Sequence, residues 1–359
     1  MNYTGIDWHK KYWVCYTVDE KGKRLAEKKI ENNTPAGFAD YFRTLPGPTS
    51  VVHEACWNWG KLYDWLEEME QVEEVVLAHP HKTRLIADAQ IKTDRLDAKA
   101  LATLLRGNLV ARVHIPVAAS RARKNLLRQR LSWARLRTMI RNRVHALVDR
   151  QHNLPLPQCS DLFGVQGMAA LRSAQLADPD HHLLQDDLEL LDLLKIQIKR
   201  LEKQIEADNE SSPMTCRLQT IPGMGKILAA VAASEIDQIE RFHRAEKLCA
   251  YAGLVPTTHA SGGKTSHGKL LPWCNKWLRW AFIEAAWIAI GCSPYFGEIY
   301  RWHRARGKKA NMAIIIVARR MCQSAWSMLQ DNRDFSAAKP EPKPFPGRSP
   351  TELKVAMAT

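Results

Sequence analysis

Apolar and polar positions along the chain change their period twice. Residues 3–7, 12–19, 24–30, 50–55 and 72–78 are short runs that alternate or are rich in β-branched and aromatic residues, the signature of strands. "DEKGK" at 19–23 reads as a hairpin turn, and 35–44 and 59–71 read as helices between strands. From 120 to 150 the period becomes helical, with Leu127, Leu131, Ala134, Leu136, Ile140, Val144 and Leu147 at helical spacing. "NLPLPQ" at 153–158 breaks that helix. A second helix carries Leu184, Leu188, Leu191, Leu194, Ile198, Leu201 and Ile205, a heptad-like seam. The two helices read either as an antiparallel coiled coil or as part of an ordinary helical bundle. "NESSPM" at 209–214 reads as a linker into a mostly helical region, 215–331. The proline- and lysine-rich run 337–350 reads as disordered.

This pattern predicts an α/β part followed by an α part. Three early hairpin-linked strands, then helix, strand, helix, strand, helix, is the element order of a ribonuclease-H-like mixed sheet. Composition narrows the picture further. A chain of 359 residues with 45% hydrophobic and 25% charged residues is globular and long enough for two or three domains. Its net charge of +14 points to a polyanionic partner, nucleic acid before a membrane surface. Eight cysteines form no C-x-x-C pair and no zinc-like cluster, so they read as reduced core thiols. The first residues lack the apolar stretch of a signal peptide, and the longest apolar run, 280–291, is too short to span a bilayer. A cytoplasmic location is expected.

Against this basic background, carboxylates at element boundaries stand out. Asp7 ends the first strand run, Glu54 the fourth, and Asp94 and Asp97 begin a helix after the fifth. In a ribonuclease-H-like sheet the first and fourth strands are neighbours, and the closing helix packs beside their ends. Four carboxylates would then converge, repel, and raise one another's pKa unless divalent cations, Mg²⁺ or Mn²⁺, neutralise them. Two such ions can clamp the oxygens of a phosphoryl transfer. A structural alternative stays open: Asp94 caps its helix and Asp97 pairs with a neighbouring arginine, Arg95 or Arg106. Asp88 is a weaker fifth member.

Two glycine-rich runs and one basic run complete the candidate chemistry. In "IPGMGK", Gly223, Gly225 and Lys226 open a helix whose first amides could meet a phosphate, as in helix-hairpin-helix turns, or merely join two helices. "YAGLVPTTHASGGKTSHGK" at 251–269 reads as a polar loop in which Ser261 is exposed beside two glycines, with Lys264 and Lys269 adding charge. Alone it reads as a phosphate-binding loop or as the seat of a nucleophile, which would need a base (His259, His267) or a metal. Arg121, Arg123, Lys124, Arg128, Arg130, Arg135, Arg137, Arg141 and Arg143 form a basic helix suited to RNA or DNA.

Together "GIDWHK", "HEA", "KTDRLDA", "IPGMG" and "AGLVP…SGGK" make the chain resemble the insertion sequence 110 family of transposases over almost its whole length. The resemblance implies a RuvC-like DEDD domain (1–115), a basic helical region (116–208), a transposase domain (209–331) and a tail (332–359). It implies Mg²⁺ at Asp7, Glu54, Asp94 and Asp97, and Ser261 (Ser266 as fallback) as nucleophile, forming a covalent phosphoserine link to DNA. It also implies a noncoding guide RNA, donor and target DNA, and homo-oligomers in which the two catalytic parts come from different protomers. After Lys269 the family's usual lysine–x–glycine–asparagine run is replaced by "LLPWCNKWLR". Two other readings remain, a hydrolytic junction resolvase and an inert nucleic-acid-binding protein.

Overall fold

The computed structural model describes residues 1–31, 33–86, 93–151, 154 and 156–337, with the side chains of Leu85, Ile86, Lys264 and His267 left aside. The expected disorder of 337–350 falls outside these residues except at 337, and Asp88 falls outside them entirely. The chain forms two compact units, Met1–Pro116 and Val117–Thr359.

The first unit is a five-stranded mixed sheet in the order β3-β2-β1-β4-β5. Strands β1 (Asn2–Trp8), β2 (Trp13–Val18) and β3 (Arg24–Ile30) form an antiparallel meander, and β4 (Thr49–Glu54) and β5 (Val72–Ala78) add in parallel on the other side of β1. Helices α1 (Pro35–Arg43) and α2 (Trp59–Glu67) cover one face. Their Phe38, Phe42, Leu62 and Leu66 pack on Ile6, Trp8, Trp13 and Val51. A short α3 (Pro80–Ile86) follows β5, and α4 (Asp94–Arg106) covers the opposite face, with Ala98 and Ala102 against Val14 and Tyr16, and Leu101 and Leu105 against Val52 and Val76. This mixed α/β arrangement is consistent with the ribonuclease-H-like domain expected from element order. Strand alternation assigns the faces. Ile6 and Trp8 point towards α1 and α2, while Gly5 and Asp7 belong to the α4 face.

The second unit begins with α5 (Ala118–Asp149), α6 (Val165–Ser173) and α7 (Asp180–Glu210). α5 and α7 run antiparallel: Arg143 pairs with Asp187 and Arg130 with Glu202, so rising numbers on one helix meet falling numbers on the other. Ile140, Val144, Leu147, Leu184, Leu188 and Leu191 fill the seam at one end. At the other end Leu127, Leu131 and Ile205 share a core with Ala230, Val231 and Ala281. Helices α8 (Pro213–Gln219), α9 (Lys226–Ile236), α10 (Ala245–Tyr251), α11 (Lys276–Cys292), α12 (Pro294–Ala305) and α13 (Ala310–Gln330) enclose a second core around Leu218, Ile221, Phe282, Phe296 and Met321. The segment expected as a polar loop is instead a hairpin, β6 (Pro256–Ser261) and β7 (Lys264–Leu270). Its turn residues Gly262 and Gly263 have φ of +55° and +75°, as a two-residue hairpin turn requires. Among the described residues no helix is long and apolar enough to cross a membrane.

Candidate functional site

At the end of β1 the structure brings Asp7 and Asp94 together, with Asp97 in electrostatic reach. Asp7 occupies the α4 face one residue before the strand ends. On β4 the last residue paired with β1 is His53, opposite Ile6, so Glu54 follows beside Asp7, and alternation places it on the same face. α4 brings Asp94 and Asp97 in its first turn. The helix can lie this close because β1 carries Gly5 beneath it. A Cβ there would meet the Ala98 carbonyl oxygen at 2.0 Å and the Ala102 nitrogen at 2.6 Å.

The tightest group is Asp7, His9 and Asp94, whose donor atoms all lie within 4.8 Å of one another. His9 Nε2 is 3.1 Å from Asp7 Oδ2 and 3.5 Å from Asp94 Oδ2. The Tyr12 hydroxyl donates to Asp94 Oδ2 at 2.8 Å, and the Tyr12 ring stacks on His9. Asn33 holds the intervening turn, donating through Nδ2 to the carbonyls of His9 and Lys10, while its Oδ1 accepts from Trp8 Nε1. Burial raises the Asp7 pKa above the ordinary carboxylate value. His9 offsets part of that rise, and Asp94 and Asp97 add to it. Asp97 is therefore within electrostatic reach of Asp7, although the close group does not include it or Glu54.

The helix-capping alternative for Asp94 does not hold. Thr93 is the N-cap, and its hydroxyl accepts from the Leu96 amide. Arg95 pairs with Glu27, and Arg106 donates to the Glu20 carbonyl. The sequence reading missed His9. His9 lies one residue past the end of β1, where alternation no longer assigns a face. Two clustered carboxylates and an imidazole, with Asp97 in electrostatic reach, form a donor set that can hold a divalent cation.

In the second unit Ser261 ends β6, exposed, opposite Lys264 across the Gly262–Gly263 turn. His259 pairs across the hairpin with Ser266, and alternation puts His259, Ser261 and Ser266 on one face. Lys269 is exposed near the end of β7. Gly223, at φ +83°, lies where a Cβ would sit 2.3 Å from the Ala285 carbonyl of α11, so this glycine lets two helical segments touch. Gly225 precedes α9 in open space, and Lys226 pairs with Glu206.

The basic helix α5 is engaged within its own unit. Lys124 and Arg128 meet Glu235 of α9 at 3.6 and 2.8 Å, and Glu235 also accepts from Asn275. Arg123 donates to the Asp208 carbonyl, and Arg130 and Arg143 pair with Glu202 and Asp187. Arg135 lies over Trp277 and Arg141 over Phe163. Arg121 lies in the first turns of the helix. Arg137 lines a recess beside Arg141.

Comparison with known proteins now bears on this geometry. A family model described as "Transposase", of the DEDD type of IS110, matches residues 4–153, and one described as "Transposase IS116/IS110/IS902 family" matches residues 216–301. The chain belongs to the IS110-type transposase family. It is 25% identical over 337 residues to a probable family 20 transposase of Pseudomonas aeruginosa, covering 90% of this chain and 96% of that protein. It is 22% identical over 345 residues to the transposase for insertion sequence element IS1328 of Yersinia enterocolitica, covering 92% and 98%. Over a shorter span, 145 residues, it is 33% identical to an IS110 insertion element protein of Streptomyces coelicolor, covering 40% and 36%. The DEDD match contains Asp7, Glu54, Asp94 and Asp97, and the second match contains Ser261.

Proposed function

We propose that this transposase cuts and rejoins DNA strands through a covalent phosphoserine intermediate, with Mg²⁺ or Mn²⁺ held by Asp7, Glu54, Asp94 and Asp97. The observation that carries the reading is the convergence of Asp7, His9 and Asp94, with Asp97 in electrostatic reach, in a chain of net charge +14. Such a cluster is unfavourable by itself and becomes favourable around a cation. When bound, the cation would stabilise charge on the phosphate oxygens and the departing 3′ oxygen.

Ser261 Oγ attacks the phosphorus, an Oγ–P bond forms, and the bond to the 3′ oxygen breaks. The serine proton passes to a base, which hands it on to the departing 3′ oxygen. The phosphoester stores the energy of the broken bond, so a second 3′ hydroxyl can reverse the step on a new strand. His9 orients Asp7 and Asp94, and Tyr12 fixes Asp94. Trp57, 68% exposed and stacked on Trp8, offers its outer face to a base near the cleaved phosphate. A guide RNA, a paired coiled-coil arm from α5 and α7, a homo-oligomer, a phosphate contact at the Gly223–Gly225 turn and the division at 208/209 belong to the same proposal.

The deciding experiment incubates labelled donor DNA with the protein and a divalent cation, then denatures. Wild type should retain label on the protein, and Ser261→Ala should lose the adduct while still binding DNA. Cleavage at full rate by Ser261→Ala without an adduct would replace this reading with the hydrolytic one.

A further inference from the structure

Between α5, α6 and α7 lies a recess of about 250 Å³ lined by Arg137, Arg141, Phe163, Val165, Asp192 and Lys195, among others. None of the residues assigned above to phosphoryl transfer lines it. Its charge is unbalanced. The one carboxylate in the lining, Asp192, is paired with Arg172, which leaves Arg137, Arg141 and Lys195 as excess positive charge.

Three further observations say what this excess is suited to. The Nε atoms of Arg137 and Arg141 are buried without a hydrogen-bond partner among the described residues. Burial, together with nearby Arg141 and Arg130, pushes the Arg137 guanidinium below its ordinary pKa, and the opposing Glu202 is already paired with Arg130. Gly164, which also lines the recess, is the N-cap of the nine-residue α6 and supplies no side-chain cap. The first-turn amides of that helix carry partial positive charge at the recess. Crowded guanidinium groups, a lysine and a helix N-terminus all call for an oxygen-rich anion. The guanidinium of Arg141 is steadied over the Phe163 ring, 4.7 Å from its centroid, rather than by a carboxylate.

We propose that this recess binds a backbone phosphate of single-stranded nucleic acid, held by Arg137, Arg141 and Lys195 at the N-terminus of α6. A single strand can turn a phosphate into a concave pocket, whereas a duplex presents its phosphates on convex ridges at fixed spacing. RNA and DNA share the phosphodiester group, so the sugar is left to the experiment. The inference concerns binding alone and stands or falls separately from the serine chemistry.

The test measures fluorescence anisotropy of the full chain with 12-nucleotide RNA and DNA strands of one sequence, and with the matching duplex, over a salt series. The R137Q/R141Q double variant should bind the preferred single strand at least ten-fold more weakly. Its salt dependence should be shallower by about 0.7, the value for one lost phosphate on a single strand. Lys195→Gln should produce a smaller loss in the same direction, and Arg200→Gln, on α7 outside the recess, should leave affinity unchanged. Loss on only the RNA strand, or only the DNA strand, identifies the source of the phosphate. An equal loss from Arg200→Gln would mean diffuse attraction and overturn the proposal, as would unchanged affinity in folded R137Q/R141Q protein or a loss confined to duplex. Unfolding curves show whether each variant is folded, and Val165→Glu, on a side chain 91% exposed at the mouth, repeats the test without touching packing.

Discussion

Gly5 of β1 and Ala98 of α4 are in backbone contact, for a Cβ on the glycine would lie 2.0 Å from the Ala98 carbonyl oxygen. That approach sets the height of α4 above the sheet and so the distance from Asp94 to Asp7. Gly5→Ala must lift or tilt the helix. An overpacking cost of roughly 1–3 kcal/mol is expected. Denaturant unfolding should show it, and Mn²⁺ titration should show weakened binding in the fraction that remains folded. Unchanged metal affinity would mean that the helix position does not set the site.

Asp7→Asn is expected to act in opposite directions on stability and binding. Burial and the neighbouring Asp94 and Asp97 all disfavour the Asp7 carboxylate, so removing its charge relieves the cation-free chain. A gain of about 0.5–2 kcal/mol is the usual scale for relieving such strain. Isothermal titration with Mn²⁺ should show a loss of binding in the same variant. A destabilised Asp7→Asn protein would instead mean that the His9 contact makes Asp7 a structural ion pair.

How far this site could be read in advance depends on the residue. Strand alternation and element order were enough to put Asp7 and Glu54 on one face of the sheet, because a period of two fixes the face of every residue in a strand. Asp94 and Asp97 were legible as a pair at a helix start, but the cap was Thr93, a distinction that rests on backbone angles. His9 was hidden because it lies just past β1, where a periodic pattern stops. The β6–β7 hairpin was hidden because neither strand has an apolar face to produce a pattern. The arginines of α5 looked alike in sequence. Only their partners, Glu202, Asp187 and Glu235, separate those that hold the helices from Arg137 and Arg141.

Glu235 provides a test of that division. It is 3% exposed and receives Lys124, itself 9% exposed, together with Arg128 and Asn275. Glu235→Ala leaves a buried ammonium without its anion, and losing one partner of a buried pair typically costs about 3–5 kcal/mol. Chemical denaturation should show that loss. Arg172→Ala, whose partner Asp192 is half-exposed, should cost less. Equal effects would mean that the Glu235 cluster is solvated and contributes little.

Trp57 lies three residues past Glu54, beyond the end of β4, in a position that folding alone does not explain. Its ring stacks on Trp8 at 5.9 Å with an interplanar angle of 17°, yet 68% of the residue remains exposed. The outer face of the Trp57 ring packs against nothing among the described residues, so that face adds little to stability. Base–aromatic stacking is worth about 1–3 kcal/mol. Trp57→Ala should therefore weaken binding of DNA with an unpaired base at the cleavage position by roughly five- to a hundred-fold, judged from that range. Trp57→Phe should recover part of the loss, and thermal unfolding should barely change in either. Binding that is unchanged in Trp57→Ala, or a loss not rescued by Phe, would remove Trp57 from the DNA surface and leave it as a cover for Trp8.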